Sequence, residues 1–358
     1  MTRQPRIVHL GIGAFARSHQ AWYTFASSDA WGIAAFPSRS RELVNSLAAQ
    51  DGRYGLVVRG PESDTATTID SIVEASADGF AGALARPETA ILTVTVTEAG
   101  YEPGAAPMRA IAEGLRARRE AGAGPMAIVP CDNVPANAHK TKEILLDSVD
   151  EDLRAWISDT ISFVFTMVDR ITPATTTADV AVAEKLLGWA DRVPVVTEPF
   201  TEWVLQGDFP AGRPEWERAG ARFVDSITPY ENRKLWMLNG AHSLLAYRGL
   251  ELGYETVYQA FGDQALRAEV DDLWSEARPV LDLPSAEVDE WLAALRIRWA
   301  NPRIEHRLAQ IALGGAQKIP ARIFTLDEAR REAGLPIGLA GIETVAAWRR
   351  YEERTGNA

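Results

Sequence analysis

The sequence predicts an α/β protein: a mostly parallel sheet domain in residues 1–228, followed by an all-helical domain in 229–358. Three observations predict it. Short apolar runs rich in β-branched residues alternate with helical stretches through the first part of the chain, which is how a parallel sheet with helices on both faces is written. A glycine turn follows the first of these runs. Beyond Pro229 the β-branched runs disappear and long helical patterns take over.

The elements follow in order. Residues 6–11, "RIVHLG", read as a buried strand entering a glycine turn, and a helix is expected over 15–27. Further strands are expected at 31–36 ("WGIAAF"), 91–101 ("ILTVTVTEAGY"), 126–133 ("MAIVPCDN"), 162–170 ("SFVFTMVDR") and 193–199 ("VPVVTEP"), with a helix over 107–120. In the second domain, helices are expected at 233–253, 263–281, 286–299, 303–313, 327–333 and 341–354. The connecting "SITPYENR" (226–233) is too short for a floppy tether, so the two domains are expected to pack together.

Composition narrows the function classes. A net charge of -12 disfavours a nucleic-acid partner, because phosphate binding needs a basic surface. No apolar run reaches the roughly 18 residues that a membrane span needs. The N-terminal "MTRQPRIVHLGIG" lacks a signal peptide's apolar core and cleavage site, and the single cysteine, Cys131, forms no internal disulfide. A cytoplasmic protein, monomeric or a small homo-oligomer, is expected.

"GIGAFARSH" (11–19) sits between the first strand and the first helix. Gly11, Gly13 and Ala16 fit G-x-G-x-x-G/A, the fingerprint of a Rossmann-type dinucleotide fold. There the glycines permit a tight turn and close approach of the pyrophosphate, and the small third residue lets helix and strand pack. The alternative is a strand-to-helix turn that binds nothing. A carboxylate at the tip of the second strand would select NAD by gripping the ribose. This tip reads "AAFPSRSRE": Ser38, Arg39 and Arg41 stand there, and an arginine can take a 2′-phosphate or simply be solvated. NAD and NADP both stay open.

Two asparagines, Asn133 and Asn137, follow the fourth strand, where open α/β sheets bind ligands. An amide can donate to a developing oxyanion, and it can equally cap a turn. Asp169 and Arg170 end the fifth strand, either as site residues or as a pair. In the helix "KLWMLNGAHSLLAY", Lys234, Asn239 and His242 interrupt an apolar pattern. At 100° per residue they fall at about 0°, 140° and 80°, on one face. A lysine drawn out of water can serve as a general base, an asparagine can hold an alkoxide, and a histidine can hydrogen-bond a substrate. Glu231 stands near the helix start. No Cys/His cluster of the zinc type is present, and the stretch after the nearest tyrosine, Tyr230, is read as lacking the Tyr-x-x-x-Lys of short-chain reductases.

The chain resembles the polyol-specific long-chain dehydrogenases/reductases, whose members act on mannitol, arabinitol, mannonate and altronate. Eight ordered blocks carry the resemblance: "GIGAFARSH", "WGIAAF", "TVTEAGY", "CDNVPAN", "MVDRITP", "TEPFTEWV", "KLWMLNGAH" and "RWANPRIEHRLAQIALGGAQKIP". The resemblance implies a metal-independent oxidoreductase using NAD or NADP on a small-molecule polyol or sugar-acid substrate, with its active site between the two domains. It implies Lys234 as general base, Asn239 and Asn137 as the oxyanion hole, His242 as the substrate-orienting residue and Glu231 as proton conductor. It implies Arg298 and Asp169 as substrate contacts, and Gly11, Gly13, Ala14, Phe15, Ala16, Arg39, Glu98 and Asn133 as cofactor contacts. Mannitol/fructose conversion is the first expectation. A mannonate/fructuronate or altronate/tagaturonate enzyme is the alternative, and a non-catalytic nucleotide sensor a further one. Segments trimmed after Gly60 and near the C-terminus bear on substrate choice.

Overall fold

The computed structural model describes residues 3–356. The chain forms two compact units, one running to Arg59 and resuming at Ser63–Ile227, the other made of Gly60–Glu62 and the chain from Thr228 onward.

The first unit is built on six parallel strands: β1 (Gln4–Leu10), β2 (Trp31–Phe36), β5 (Ile72–Ala75), β6 (Ile91–Val94), β7 (Met126–Pro130) and β8 (Ile161–Phe163). Their spatial order is β5-β2-β1-β6-β7-β8. Numbered within this sheet alone, that is the 3-2-1-4-5-6 order of dinucleotide-binding folds, with the order reversing between β1 and β6. Strand periodicity divides the core. Ile7, Ile33, Ala35, Ala127 and Val129 pack on one face of the sheet. Val8, Leu10, Ala34, Phe36 and Ile128 pack on the other. Two small mixed sheets flank this core: β3 (Tyr54–Arg59) between β4 (Asp64–Ile69) and β10 (Val195–Thr197), and β11 (Glu202–Gln206) between β9 (Phe165–Asp169) and β12 (Arg222–Phe223).

Several expectations need correction. The strand expected at 162–170 is two strands in two sheets, β8 and β9, separated at Val164. The run at 193–199 contributes β10 to a side sheet, pairing with β3 rather than joining the main sheet. The missing sixth strand of the main sheet is the short β5, whose four residues give too little alternation to read. The run at 91–101 is a strand only to Val94, and Glu98–Tyr101 is a 3-10 turn. The expected first helix is two, Ala14–Ser18 and Gln20–Ala26, broken at His19.

The second unit is helical from Thr228 to Thr355, apart from an isolated bridge between Thr256 and Arg307. Only Leu308–Ala312 of the stretch expected at 303–313 is helix. Gly60 joins this unit through its carbonyl, which accepts from Arg303 Nη1 at 2.9 Å. Among the described residues no helix is long and apolar enough to cross a membrane.

The turn after β1 is fixed from below by a buried chain of hydrogen bonds. Thr95 Oγ1 donates to the Gly11 carbonyl at 2.7 Å. Its single hydrogen is thereby committed, so it accepts from His9 Nε2 at 3.1 Å, and Thr93 Oγ1 donates to His9 Nδ1 at 2.8 Å. His9 is therefore neutral, and burial depresses its pKa to about 4. The folded state thus binds fewer protons than the unfolded state between about pH 6.5 and 4, and stability falls as pH drops through that window. From pH 7.5 to 5 His9 alone is expected to remove about 2 kcal/mol. Urea denaturation across this range should show a shallower pH slope in His9→Gln, and an unchanged slope contradicts the assignment.

Candidate active site

The parallel sheet brings the chain segments after β1, β2, β6 and β7 to one edge. Gly11 has φ of +100°, and a Cβ there would lie 1.9 Å from the Thr95 carbonyl oxygen, so only glycine fits. Gly13 differs. Its φ is −106°, and a Cβ would meet nothing closer than the Gly11 carbonyl at 3.7 Å. The fold itself leaves room for a side chain there, and in the G-x-G-x-x-G/A fingerprint this is the position at which a pyrophosphate approaches the backbone. The donors present fit that group. Gly13 heads the helix Ala14–Ser18 without a side-chain cap, Ala14 and Phe15 are half-buried, and Ala16 is buried.

At the tip of β2, Ser38 is half-buried and Arg39 is exposed, donating to Thr97 Oγ1 at 3.0 Å. Arg41 pairs with Asp78, beyond β5. Thr97 has φ of +67°, a costly conformation for a β-branched residue. The Asp132 carboxylate holds it there by accepting from the N–H of Val96 and of Thr97, each at 2.9 Å, and from the Tyr101 hydroxyl at 2.9 Å. Burial raises the pKa of Asp132, against those hydrogen bonds. Glu98 follows Thr97 and is exposed, as is Asn133 after β7.

Asn137 is fully buried, and its amide nitrogen donates to the Thr166 carbonyl (2.9 Å), Thr166 Oγ1 (3.1 Å) and the Asp132 carbonyl (3.3 Å). Its amide oxygen accepts from Thr166 N–H at 3.3 Å. These bonds tie the start of the helix Asn137–Asp147 to β9 and the loop after β7. Asp169 is buried at the end of β9. Arg170 beside it donates to the carbonyls of Ser18 (2.5 Å) and Glu198, and stacks 4.8 Å over Trp22. It thus ties β9 to the end of the first helix.

In the second unit, the helix carrying Lys234 is not α throughout. Thr228–Asn232 is α, Arg233–Asn239 is a π-helix, and α geometry resumes over Gly240–Glu251. The Gly240 N–H donates to the Leu235 carbonyl, five residues back. This overturns the uniform 100° wheel. Bonding from i to i+5 lines up residues five apart, as α bonding lines up residues four apart. Lys234 and Asn239, five apart, therefore share a face more closely than α geometry permits, and His242 follows one α turn later. Lys234 and His242 are buried, Asn239 and Glu231 half-buried. The Met237 carbonyl of the π turn accepts from Trp274 Nε1 at 2.8 Å.

His242 Nε2 accepts from Trp299 Nε1 at 3.0 Å. An indole only donates, so the imidazole is neutral and its proton is on Nδ1. Burial holds its pKa well below the usual imidazole range, and His306, Arg322, Arg298 and Lys234 lower it further. The His306 ring stands edge-on to His242, 4.8 Å between centroids. Arg298 is buried in the last turn of the helix Ser285–Trp299. Sequence reasoning missed Trp299, His306, Arg322, Thr95 and Asp132. Trp299 adjoins Arg298, but a partner 57 residues from His242 leaves no local signal. It also misread Tyr230, which stands four residues before Lys234 and so does complete a Tyr-x-x-x-Lys spacing. Its ring lies 5.3 Å from the Arg233 guanidinium. Among the described residues no group of three His, Cys, Asp or Glu is placed to hold a metal ion.

Comparison with known proteins agrees with these features. Residues 5–218 match the family described as the mannitol dehydrogenase Rossmann domain, and residues 226–358 the mannitol dehydrogenase C-terminal domain. The chain is 37% identical to a D-mannonate oxidoreductase of Escherichia coli, covering 99% of this chain and 82% of that protein. It is 33% identical to a mannitol 2-dehydrogenase of Cereibacter sphaeroides, covering 97% and 80%. The solved ternary complex of Pseudomonas fluorescens mannitol 2-dehydrogenase with NAD and D-mannitol superposes with a TM-score of 0.83 at 32% identity, covering 98% of this chain and 79% of that one. With both units matched, a sheet of dinucleotide-binding order and a helical unit carrying Lys234, Asn239 and His242, the chain belongs to the mannitol dehydrogenase family of oxidoreductases.

Proposed function

We propose that the protein is an NAD(P)-dependent dehydrogenase that interconverts a secondary alcohol of a polyol and the corresponding ketose, as between mannitol and fructose. The observation that carries this reading is the π turn, which aligns a buried lysine with an asparagine amide one π turn away. The relative solved with NAD and D-mannitol supports both the cofactor and the substrate class.

The residues divide by task. In the first unit Gly11 shapes the turn, Gly13 admits the pyrophosphate, and Ala14, Phe15 and Ala16 present the following backbone to it. Arg39, Glu98 and Asn133 stand on the same sheet edge for the rest of the nucleotide. When bound, the nicotinamide accepts the hydride from the alcohol carbon. In the second unit the Lys234 amine removes the hydroxyl proton, Asn239 donates an amide hydrogen to the oxygen as negative charge develops, and Glu231, three residues before Lys234, passes the proton toward water. His242 offers Nδ1–H to a substrate hydroxyl. It stays neutral because Trp299 holds the other nitrogen. Arg298 and Asp169 are the remaining substrate contacts. No step calls for a metal.

A second reading, oxidation of a sugar acid such as mannonate, is favoured by one observation. Arg322, Arg298 and Lys234 all act on His242 as cationic side chains, a setting suited to a substrate carboxylate. The similarity to D-mannonate oxidoreductase points the same way.

Three experiments test the proposal. Lys234→Ala should fold normally by circular dichroism and lose about 10²–10⁴-fold in turnover; wild-type turnover contradicts the mechanism. Gly13→Ala should keep its thermal stability yet bind NADH and NADPH more weakly by fluorescence titration; unchanged binding removes the nucleotide role of that position. Assays of mannitol, arabinitol, sorbitol, mannonate and altronate with both cofactors should show turnover. Selective use of the acids favours the second reading, and nucleotide binding without any turnover favours a sensor.

A further inference from the structure

We propose that Arg322 is a positioning residue for the reaction: reaching from a second π segment, it fixes the carbonyl of Asn239 and so the turn that aligns Asn239 with Lys234. This rests on the reading above, in which those two residues handle the alcohol.

The second unit contains two π segments, Arg233–Asn239 and Pro320–Phe324, and they pack against each other. Two side chains from outside this helix donate to carbonyls near the end of the first π segment. Trp274 takes the Met237 carbonyl. Arg322 Nη1 takes the Asn239 carbonyl at 3.2 Å, and also donates to Ser243 Oγ at 3.0 Å. Ser243 Oγ in turn donates to the Asn239 carbonyl at 3.3 Å, closing a three-membered cycle on the residue whose side chain is the proposed oxyanion donor.

A purely structural role explains this arrangement poorly. The Arg322 guanidinium is half-buried, and burial lowers its pKa. Its hydrogen bonds go to a carbonyl and a hydroxyl, and no carboxylate of the described residues is within ion-pair distance of it. A cation drawn partly out of water without a counter-charge costs stability, and a neutral donor would cap the same carbonyl at lower cost. What the guanidinium adds is a rigid, always protonated group that spans the main chain at Asn239 and the side chain at Ser243 together. A displacement of about 1 Å in a reacting group is enough to cost a large factor in rate.

The test uses the full chain in steady-state kinetics on whichever substrate the assay panel identifies, together with NADH binding. Arg322→Ala should lower kcat about tenfold or more while KM stays within about threefold and the NADH Kd is unchanged, because a transition-state alignment is lost and not a ground-state contact. Arg322→Lys, which keeps the charge but not the planar fork, should regain part of the loss. Ser243→Ala should show a smaller drop of the same kind. A wild-type kcat in Arg322→Ala overturns the proposal, and so does a raised KM at unchanged kcat, which would make Arg322 a direct substrate contact. If Arg322→Ala fails to fold, wild-type kcat in both Arg322→Lys and Ser243→Ala overturns it. Lys234→Ala run alongside separates the two levels: if that variant keeps its turnover, the functional reading itself fails, whatever Arg322 does.

Discussion

The chemistry proposed for the second unit depends on one constraint, the π turn at Arg233–Asn239. In an unbroken α-helix, residues five apart diverge by about 140°, too far for a base and an oxyanion donor to address one hydroxyl. The π register removes that divergence. It is a strained choice for a backbone, and the surroundings hold it: Trp236, Met237 and Leu238 are buried, and the Met237 carbonyl is taken by the indole of Trp274. The pattern K-x-x-x-x-N-x-x-H thus has a physical reading, one π turn followed by one α turn.

Protonation states are set by the same packing. His242 sits among positive groups and against an indole donor, so it remains a neutral donor through Nδ1. In the first unit, His9 is held neutral by burial and by the chain through Thr95 that ends on Gly11. Both histidines are fixed-tautomer hydrogen-bonding groups, not titrating acids. The two glycines of the turn differ physically: Gly11 is demanded by the fold, whereas at Gly13 the fold leaves room for a Cβ.

Much of the first unit was legible in the sequence because strands buried on both faces read as continuous apolar runs and the glycine turn lies between a strand and a helix. β1, β2 and β7 are of this kind. β5, with four residues, and the split of 162–170 into β8 and β9 were not legible, because sheet membership depends on pairing partners far along the chain. In the second unit Lys234, Asn239 and His242 could be singled out as polar breaks in an apolar pattern, but the π register could not, since the side chains that donate to its carbonyls, Trp274 and Arg322, lie far along the chain. The bonds that tie Asn137 to Thr166 on β9 span 29 residues and were likewise not legible. Which partners a polar side chain finds is a tertiary fact.

The central claim is that the amine of Lys234 takes the substrate proton. It is tested most directly by adding small primary amines of graded basicity to Lys234→Ala. Turnover restored in proportion to amine concentration, and rising with amine basicity, is the expected result. An inactive variant that no amine restores, or a restored rate indifferent to basicity, contradicts the assignment of Lys234 as the base.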